Sequence, residues 1–258
     1  MKYKVLFLGV DCDVSRMIFH AIKDDWEVEK VIFEQPLGLI KKMKFRIKKL
    51  GVLSVIGQLL FKITCDFFIV PFSTKRRLEI LQEHNCRMSP IPDSLIFQIE
   101  DIHKGDWNTW LHDYTPDFIM INGTRIIKKG LLNTLNVPII NIHAGITPMY
   151  RGVHGGYWAL VNNDSSNFGA TIHLVDAGVD TGKVLKHVFS KPKKEDNFYT
   201  YPYVQFSAAT KELVNVVECY MKDKDRMLKQ SSLPTFSNQW YYPTLFNYIY
   251  FRIAKGIK

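Results

Sequence analysis

Val137-Pro138-Ile139-Ile140-Asn141-Ile142-His143-Ala144-Gly145-Ile146-Thr147-Pro148-Met149-Tyr150-Arg151-Gly152 begins as an apolar run of strand length and then breaks into a loop punctuated by glycine and proline. Residues two apart on a strand face the same way, so Asn141 and His143 project together at its carboxyl end. Buried without partners they would each cost about 1 to 3 kcal/mol, so the pair needs a reason. In open α/β sheets, ligands bind outside the carboxyl ends of the strands.

Working outward, strand-length apolar runs alternate with segments of helical period. The pattern predicts strands near 3–10, 27–34, 96–101, 117–122 and 138–142, and helices near 13–24, 73–85, 106–114, 127–135 and 204–222. This alternation is that of βαβ units, hence an α/β fold around a mainly parallel sheet. Downstream, Gly169-Ala170-Thr171-Ile172-His173-Leu174-Val175 reads as a strand running into the acidic turn Asp176-Ala177-Gly178-Val179-Asp180-Thr181-Gly182. The turn is placed to bring Asp180 to the same rim, so that an amide, an imidazole and a carboxylate converge. His173 reads as a packed histidine lining a pocket more readily than as a catalytic one.

One segment departs from the βαβ pattern. Between 36 and 72, Leu39, Met43, Ile47 and Leu50 recur at helical spacing and a second apolar stretch follows from Val52 to Phe61, which predicts a helical insertion. Lys62, Asp66 and Pro71 interrupt the apolar run 51–72, and a charge at mid-membrane depth costs about 3 kcal/mol or more, which disfavours a membrane span. A cap over the core or a dimer contact is the plainer reading. Peripheral membrane contact stays open, through this segment or through the aromatic stretch Tyr241–Phe251 with Arg252, Lys255 and Lys258 after it.

The chain has 258 residues, 47% of them hydrophobic, enough to bury a full core. Of its formal charge of +9, six units sit in Lys41, Lys42, Lys44, Arg46, Lys48 and Lys49, with no acid between. A charge so local disfavours a nucleic-acid footprint over the whole surface and leaves room for a phosphate or an anionic membrane. Cys12, Cys65, Cys86 and Cys219 are scattered, which suggests neither a disulfide framework nor a zinc ribbon. A reducing, cytoplasmic setting fits, since the N-terminus reads as a first strand rather than a signal peptide. Gly9 is not followed by a Gly-x-Gly-x-x-Gly loop, so no dinucleotide site is expected.

Asn141-Ile142-His143, Tyr150-Arg151-Gly152, Trp158-Ala159-Leu160 and Asp176-x-Gly-x-Asp180-Thr-Gly together resemble the catalytic half of the 10-formyltetrahydrofolate-dependent formyltransferases, most densely over about 117–189. The resemblance implies a modified Rossmann-like, doubly wound sheet and transfer of a formyl group from the folate N10 to an amine. It implies Asn141, His143 and Asp180 as the catalytic triad, with His143 biased toward its charged form by Asp180. It further implies a pterin pocket lined by Asn122-Gly123-Thr124-Arg125-Ile126-Ile127 and by the loop beginning at Asp176. Tyr150, Arg151, Gly152 and His154 would face the acceptor. No metal is expected.

The usual Ser-Leu-Leu-Pro after Asn-x-His is here Gly145-Ile146-Thr147-Pro148, and the helices of 36–72 are absent from the smallest members. A catalytic domain over 1–205, followed by a helix and aromatic tail over 206–258, leaves no length for the tRNA-gripping domain of methionyl-tRNA formyltransferases. The expected acceptor is therefore the primary amine of a nucleotide-linked amino sugar, as in bacterial surface-polysaccharide synthesis. Lipid-linked amines, a formyltetrahydrofolate hydrolase and a non-catalytic membrane-associated binding protein are the rivals, and a homodimer stays open.

Overall fold

In the computed structural model, which describes residues 2–229 and 236–258, seven strands form one sheet: β1 (Lys4–Gly9), β2 (Glu27–Glu34), β3 (Ile96–Ile99), β4 (Phe118–Asn122), β5 (Ile139–His143), β7 (Gly169–Leu174) and β8 (Val184–Phe189). Their order across the sheet is β3-β2-β1-β4-β5-β7-β8. The first five run parallel, while β7 lies antiparallel to β5 and β8 antiparallel to β7. A two-residue strand, β6 (Arg151–Gly152), pairs separately with β9 (Gln239–Trp240).

Both faces of the sheet are covered, and β1 shows why its sequence is continuously apolar. Val5 and Phe7 point into a core shared with α1 (Asp13–Ile22) and α8 (Tyr201–Lys222), while Leu6 and Leu8 point into the opposite core. That second core includes Trp107 of α5 (Trp107–Tyr114) and Leu135 of α6 (Lys129–Leu135). With helices on both faces a strand has no wet side, so polar alternation disappears. The sheet is the doubly wound, mainly parallel arrangement expected.

The insertion extends further than its sequence boundaries. After α2 (Leu39–Leu50), one continuous helix runs from Val52 to Glu83, composed of α3 (Val52–Thr64), a π turn (Cys65–Ile69) and α4 (Val70–Glu83). The helix expected to start at 73 is thus the end of this rod: Pro71 follows directly on the π turn, where the ordinary hydrogen-bond ladder is already interrupted and a missing N–H costs less. The side chains of Leu39 and Lys41 lie outside the described residues. The rod is fastened by Phe61, edge-on to Phe198 at 4.8 Å, and by Arg76, which donates to the fully buried Asp196 at 2.7 Å and to Glu83 at 3.0 Å.

The division drawn at residue 205 falls inside α8, whose helix begins at Tyr201 rather than 204. α7 (Gly155–Val161), a short α9 (Lys224–Lys229) and α10 (Leu245–Lys255) complete the chain; Tyr248 of α10 is buried against Phe61 at 4.8 Å. Strand β8, with Lys186 and His187 in its middle, was not read from the sequence.

Candidate active site

The site begins with a register. β5 and β7 pair so that Asn141 stands directly opposite His173, and His143 opposite Thr171. The His173 Nδ1–H faces its own neighbour's carbonyl, that of Leu174, at 2.8 Å. A carbonyl only accepts, so Nδ1 carries the proton. Burial pushes the ring's pKa down, more than nearby Asp180 pushes it up, and the ring is neutral. Its Nε2 then holds a lone pair, which accepts from Asn141 Nδ2 at 3.2 Å. That bond fixes the Asn141 amide, with one N–H used and the other available. Although His173 Nε2 lies 3.7 Å from Asp180 Oδ1, a neutral ring makes this a polar contact and not an ion pair.

His143, 7% exposed, is held from both sides. Its Nε2 lies 2.7 Å from the Tyr150 carbonyl, so Nε2 is committed as a donor, and its Nδ1 lies 3.4 Å from Asp180 Oδ2. The proton this ring can lose or gain therefore sits on Nδ1, facing the carboxylate. Asp180 reaches this position from a left-handed backbone conformation, φ 50°, that aspartate tolerates better than most residues. Gly152 N–H donates to its Oδ2 at 2.9 Å. The Asp176 carboxylate stiffens the same turn by accepting from Gly178 N and Thr181 Oγ1.

Gly145 explains the departure noted after Asn-x-His. A Cβ there would stand 2.3 Å from the Tyr150 carbonyl and 2.7 Å from His143 Nε2, inside the bond that holds the ring. Gly155, at the start of α7, packs on it so closely that its own Cβ would lie 2.6 Å from the Gly145 Cα. Gly155 is thus a close backbone approach, while Gly156 makes room for the Gln205 side chain.

These groups line a cleft of about 420 Å³ with Gly123, Thr124, Arg125, Ile126, Ile127 and Asp176. Gly123 takes φ 70°, which turns the chain out of β4 and over the cleft. Buried Glu34 on β2 accepts from Arg125 N–H, and the Arg125 guanidinium reaches Asp101 at 2.9 Å and two backbone carbonyls. Backbone and side-chain bonds from His103, with help from Arg125, hold the Asp101 carboxyl down at about 2. Sequence reading did not find the anchoring role of Glu34.

Of the residues expected to face an acceptor, Gly152 and His154 line the cleft. Tyr150 does not: its ring is buried and its hydroxyl donates to Asp164 at 2.8 Å, leaving only its carbonyl for His143. Arg151 is spent on the Val179 carbonyl at 3.0 Å and Ser237 Oγ at 3.1 Å, so it braces the Asp180 loop from behind. His154 caps α7 with φ 55°, stacks on Phe198 at 3.9 Å, and has an Nδ1 without a partner. Burial pushes its pKa down to about 3, so it presents a neutral imidazole. Among the described residues there is no group of three or more His, Cys, Asp or Glu able to hold a metal.

An amide with a free N–H, an imidazole and a carboxylate thus converge at the carboxyl end of a parallel strand, an arrangement able to receive negative charge on a carbonyl oxygen and to relay a proton beside it. Residues 77–197 match the formyl transferase family, and the chain carries a domain of that family. Over 122 residues it is 34% identical to a methionyl-tRNA formyltransferase from Nitratiruptor, a match covering 47% of this chain and 39% of that protein. The chain spans less than half the length of the curated relatives it matches. Among solved structures, a phosphoribosylglycinamide formyltransferase from Anaplasma phagocytophilum superposes with a TM-score of 0.55 at 17% identity, covering 87% of this chain and 88% of its own. A sugar N-formyltransferase from a Shewanella species covers 93% of this chain and 76% of its own, with a TM-score of 0.50 at 14% identity. At these identities the likeness is one of fold.

Proposed function

We propose that the protein transfers a formyl group from N10-formyltetrahydrofolate to the primary amine of a nucleotide-linked amino sugar, in the cytoplasm. The observation that carries the transfer is the Asn141–His173 bond, which aims one amide N–H into the cleft beside His143 and Asp180. A flat heterocycle needs apolar walls and backbone polar groups at its edge. Ile121, Ile127, Ile142 and Val175 supply the walls, and the loops 123–127 and 176–180 supply the edge.

The donor brings an electrophilic formyl carbon. As an amine attacks it, negative charge develops on the formyl oxygen, and the free Asn141 N–H is placed to receive it; one such donor is worth about 10²-fold to 10³-fold in rate. The amine must also lose a proton, which His143 can accept at Nδ1, with Asp180 beside it to stabilise the cation formed; the bond from the formyl carbon to the folate N10 then breaks, and N10 leaves as the amine by taking up a proton. Such acid–base help is worth about 10²-fold to 10⁴-fold. His154, which lines the cleft, is the residue proposed to face the acceptor.

The sugar acceptor is supported by the fold shared with a sugar N-formyltransferase over 93% of this chain. Four free thiols support a reducing compartment. The test offers dTDP-, GDP- and UDP-amino sugars, and methionyl-tRNA separately, with 10-formyltetrahydrofolate, and reads the products by mass spectrometry. One of the sugars should gain the mass of one CO. Product from methionyl-tRNA alone, or formate released without any acceptor, would overturn the sugar reading.

A further inference from the structure

Outside the cleft, the largest physical anomaly is apolar surface. The rod Val52–Glu83 is long and apolar enough, by length and composition, to cross a membrane, yet only 22% of its most apolar 18-residue stretch is buried. Leu53 (86% exposed), Phe67, Phe68 and Phe72 (83%) stand in water, as do Phe246 and Ile253 on the neighbouring α10. The exposure is ordered. Along α3 and into the π turn, the exposed positions 53, 56, 60, 63 and 67 keep the three-and-four spacing of one helix face. The π turn then adds the extra residue that brings Phe72 back onto that face. On α10 the exposed positions 246, 249, 250 and 253 form a second such stripe, on a helix that packs against α3.

The opposite side of the rod rules out a span. Gln58 donates to the Tyr242 carbonyl at 2.9 Å, Phe61 is wedged between Phe198 and Tyr248, and Arg76 is bonded to Asp196. A helix fastened along one side to a water-soluble sheet cannot be ringed by lipid. It can lie in the interface with its free side down.

What covers the face is indicated by charge. α2 contributes Lys42, Arg46, Lys48 and Lys49 with no acid, and Arg252 and Lys255 lie in the last turn of α10. In a twofold pair of copies the same basic collar would face itself. An anionic lipid surface meets it with opposite sign, at a gain of about one order of magnitude in affinity for every one or two such residues near the surface. Between α2 and α3, moreover, a cavity of about 260 Å³ is lined by Lys42, Arg46 and Lys62 over the apolar Val55 and Leu59. Arg46 is held at this cavity over the Tyr242 ring at 5.5 Å, while Lys62 at its rim is already paired with Asp66 at 2.6 Å.

We propose that the face built from α2, α3, the start of α4 and α10 docks on the surface of an anionic phospholipid bilayer. The exposed aromatic side chains enter the boundary between headgroups and acyl chains, and Lys42 and Arg46 at the cavity between α2 and α3 take a lipid phosphate.

The test is flotation of the full-length protein with vesicles of phosphatidylcholine alone and of phosphatidylcholine with phosphatidylglycerol. The protein should float with the anionic vesicles, less so at high salt, and stay behind with the neutral ones. Phe67→Glu with Phe72→Glu should abolish flotation, and Lys42→Glu with Arg46→Glu should weaken it at least about tenfold. Leu53→Glu gives a second, independent reading. All five sites are on the surface of helices, and an unchanged circular dichroism spectrum and melting temperature would show each variant folded. Absence of flotation with anionic vesicles overturns the proposal, as does flotation indifferent to these substitutions. A stable dimer in sedimentation, broken by Phe67→Glu, with no vesicle binding by either form, assigns the face to a second copy instead.

Discussion

Asn141 has two N–H groups, and His173 takes one of them, so the direction of the other is set by a ring that itself never needs to touch substrate. Replacing His173 by Phe keeps the volume and removes the lone pair. The Asn141 amide is then free to rotate, and kcat should fall on the order of tenfold to a hundredfold with KM for the folate little changed, since the donor is stabilising only in the transition state. Asn141→Ala should cost about 10²-fold to 10³-fold in kcat, and adding His173→Phe to it should cost little more, because both changes remove the same interaction. Steady-state kinetics of the two single variants and the double decide this; fully additive losses would mean that His173 acts on its own account. For His143→Ala, turnover should fall by about 10²-fold to 10⁴-fold while folate binding, measured by quenching of intrinsic fluorescence, persists.

Packing between elements sets how far these side chains can be trusted to stay in place. Arg76 ties α4 to the loop before α8 by its bond to the fully buried Asp196. Arg76→Met would leave that carboxylate buried without its cation and should cost about 3 to 5 kcal/mol in denaturant unfolding. Gly155→Ala would press on Gly145 and on the Tyr150 carbonyl that holds His143, so it should lower kcat as well as stability. The parallel strands were legible in the sequence because strands covered on both faces are apolar throughout, and Asn141 and His143 stood out against that background. Asp180 was legible from the glycines around it. The service of His173 to Asn141 was not, since it depends on an antiparallel register between residues 32 apart in the chain. Nor was Glu34 legible: an acid at the end of β2 reads as an ordinary strand terminus until its partner, the loop after β4, is folded over it. Strand β8 escaped notice because Lys186, paired with Glu212 of α8, and His187, bonded to the Thr147 carbonyl, break its apolar run on both faces. Tyr150 and Arg151 were read as facing an acceptor from their place in a motif, and the structure uses them as scaffold.

The folded protein as a unit carries four histidines, His84, His154, His173 and His187, whose pKa values burial pushes down. A histidine that binds protons more weakly when folded leaves stability complete above its unfolded pKa of about 6.5, and stability is lost as pH falls below it. For His154, whose folded value is about 3, the loss is roughly 1.4 kcal/mol per pH unit between those limits. The melting temperature should therefore drop steadily from pH 7 to pH 4, and His154→Asn, which suits the same left-handed backbone, should flatten the curve. The π turn at Cys65–Ile69 bears on the chain in another way. It resets helix phase between Phe61, wedged into the core, and Arg76, bonded to Asp196 on the same fastened side further along the rod. Removing its extra residue would restore ordinary pitch and leave the segments on either side in phase, whereas a deletion elsewhere in the rod, with the π turn kept, would swing everything beyond by about 100°. Substitutions in the rod can be absorbed one side chain at a time, but a codon gained or lost elsewhere along it would have to be compensated within a few turns, as the π turn compensates one.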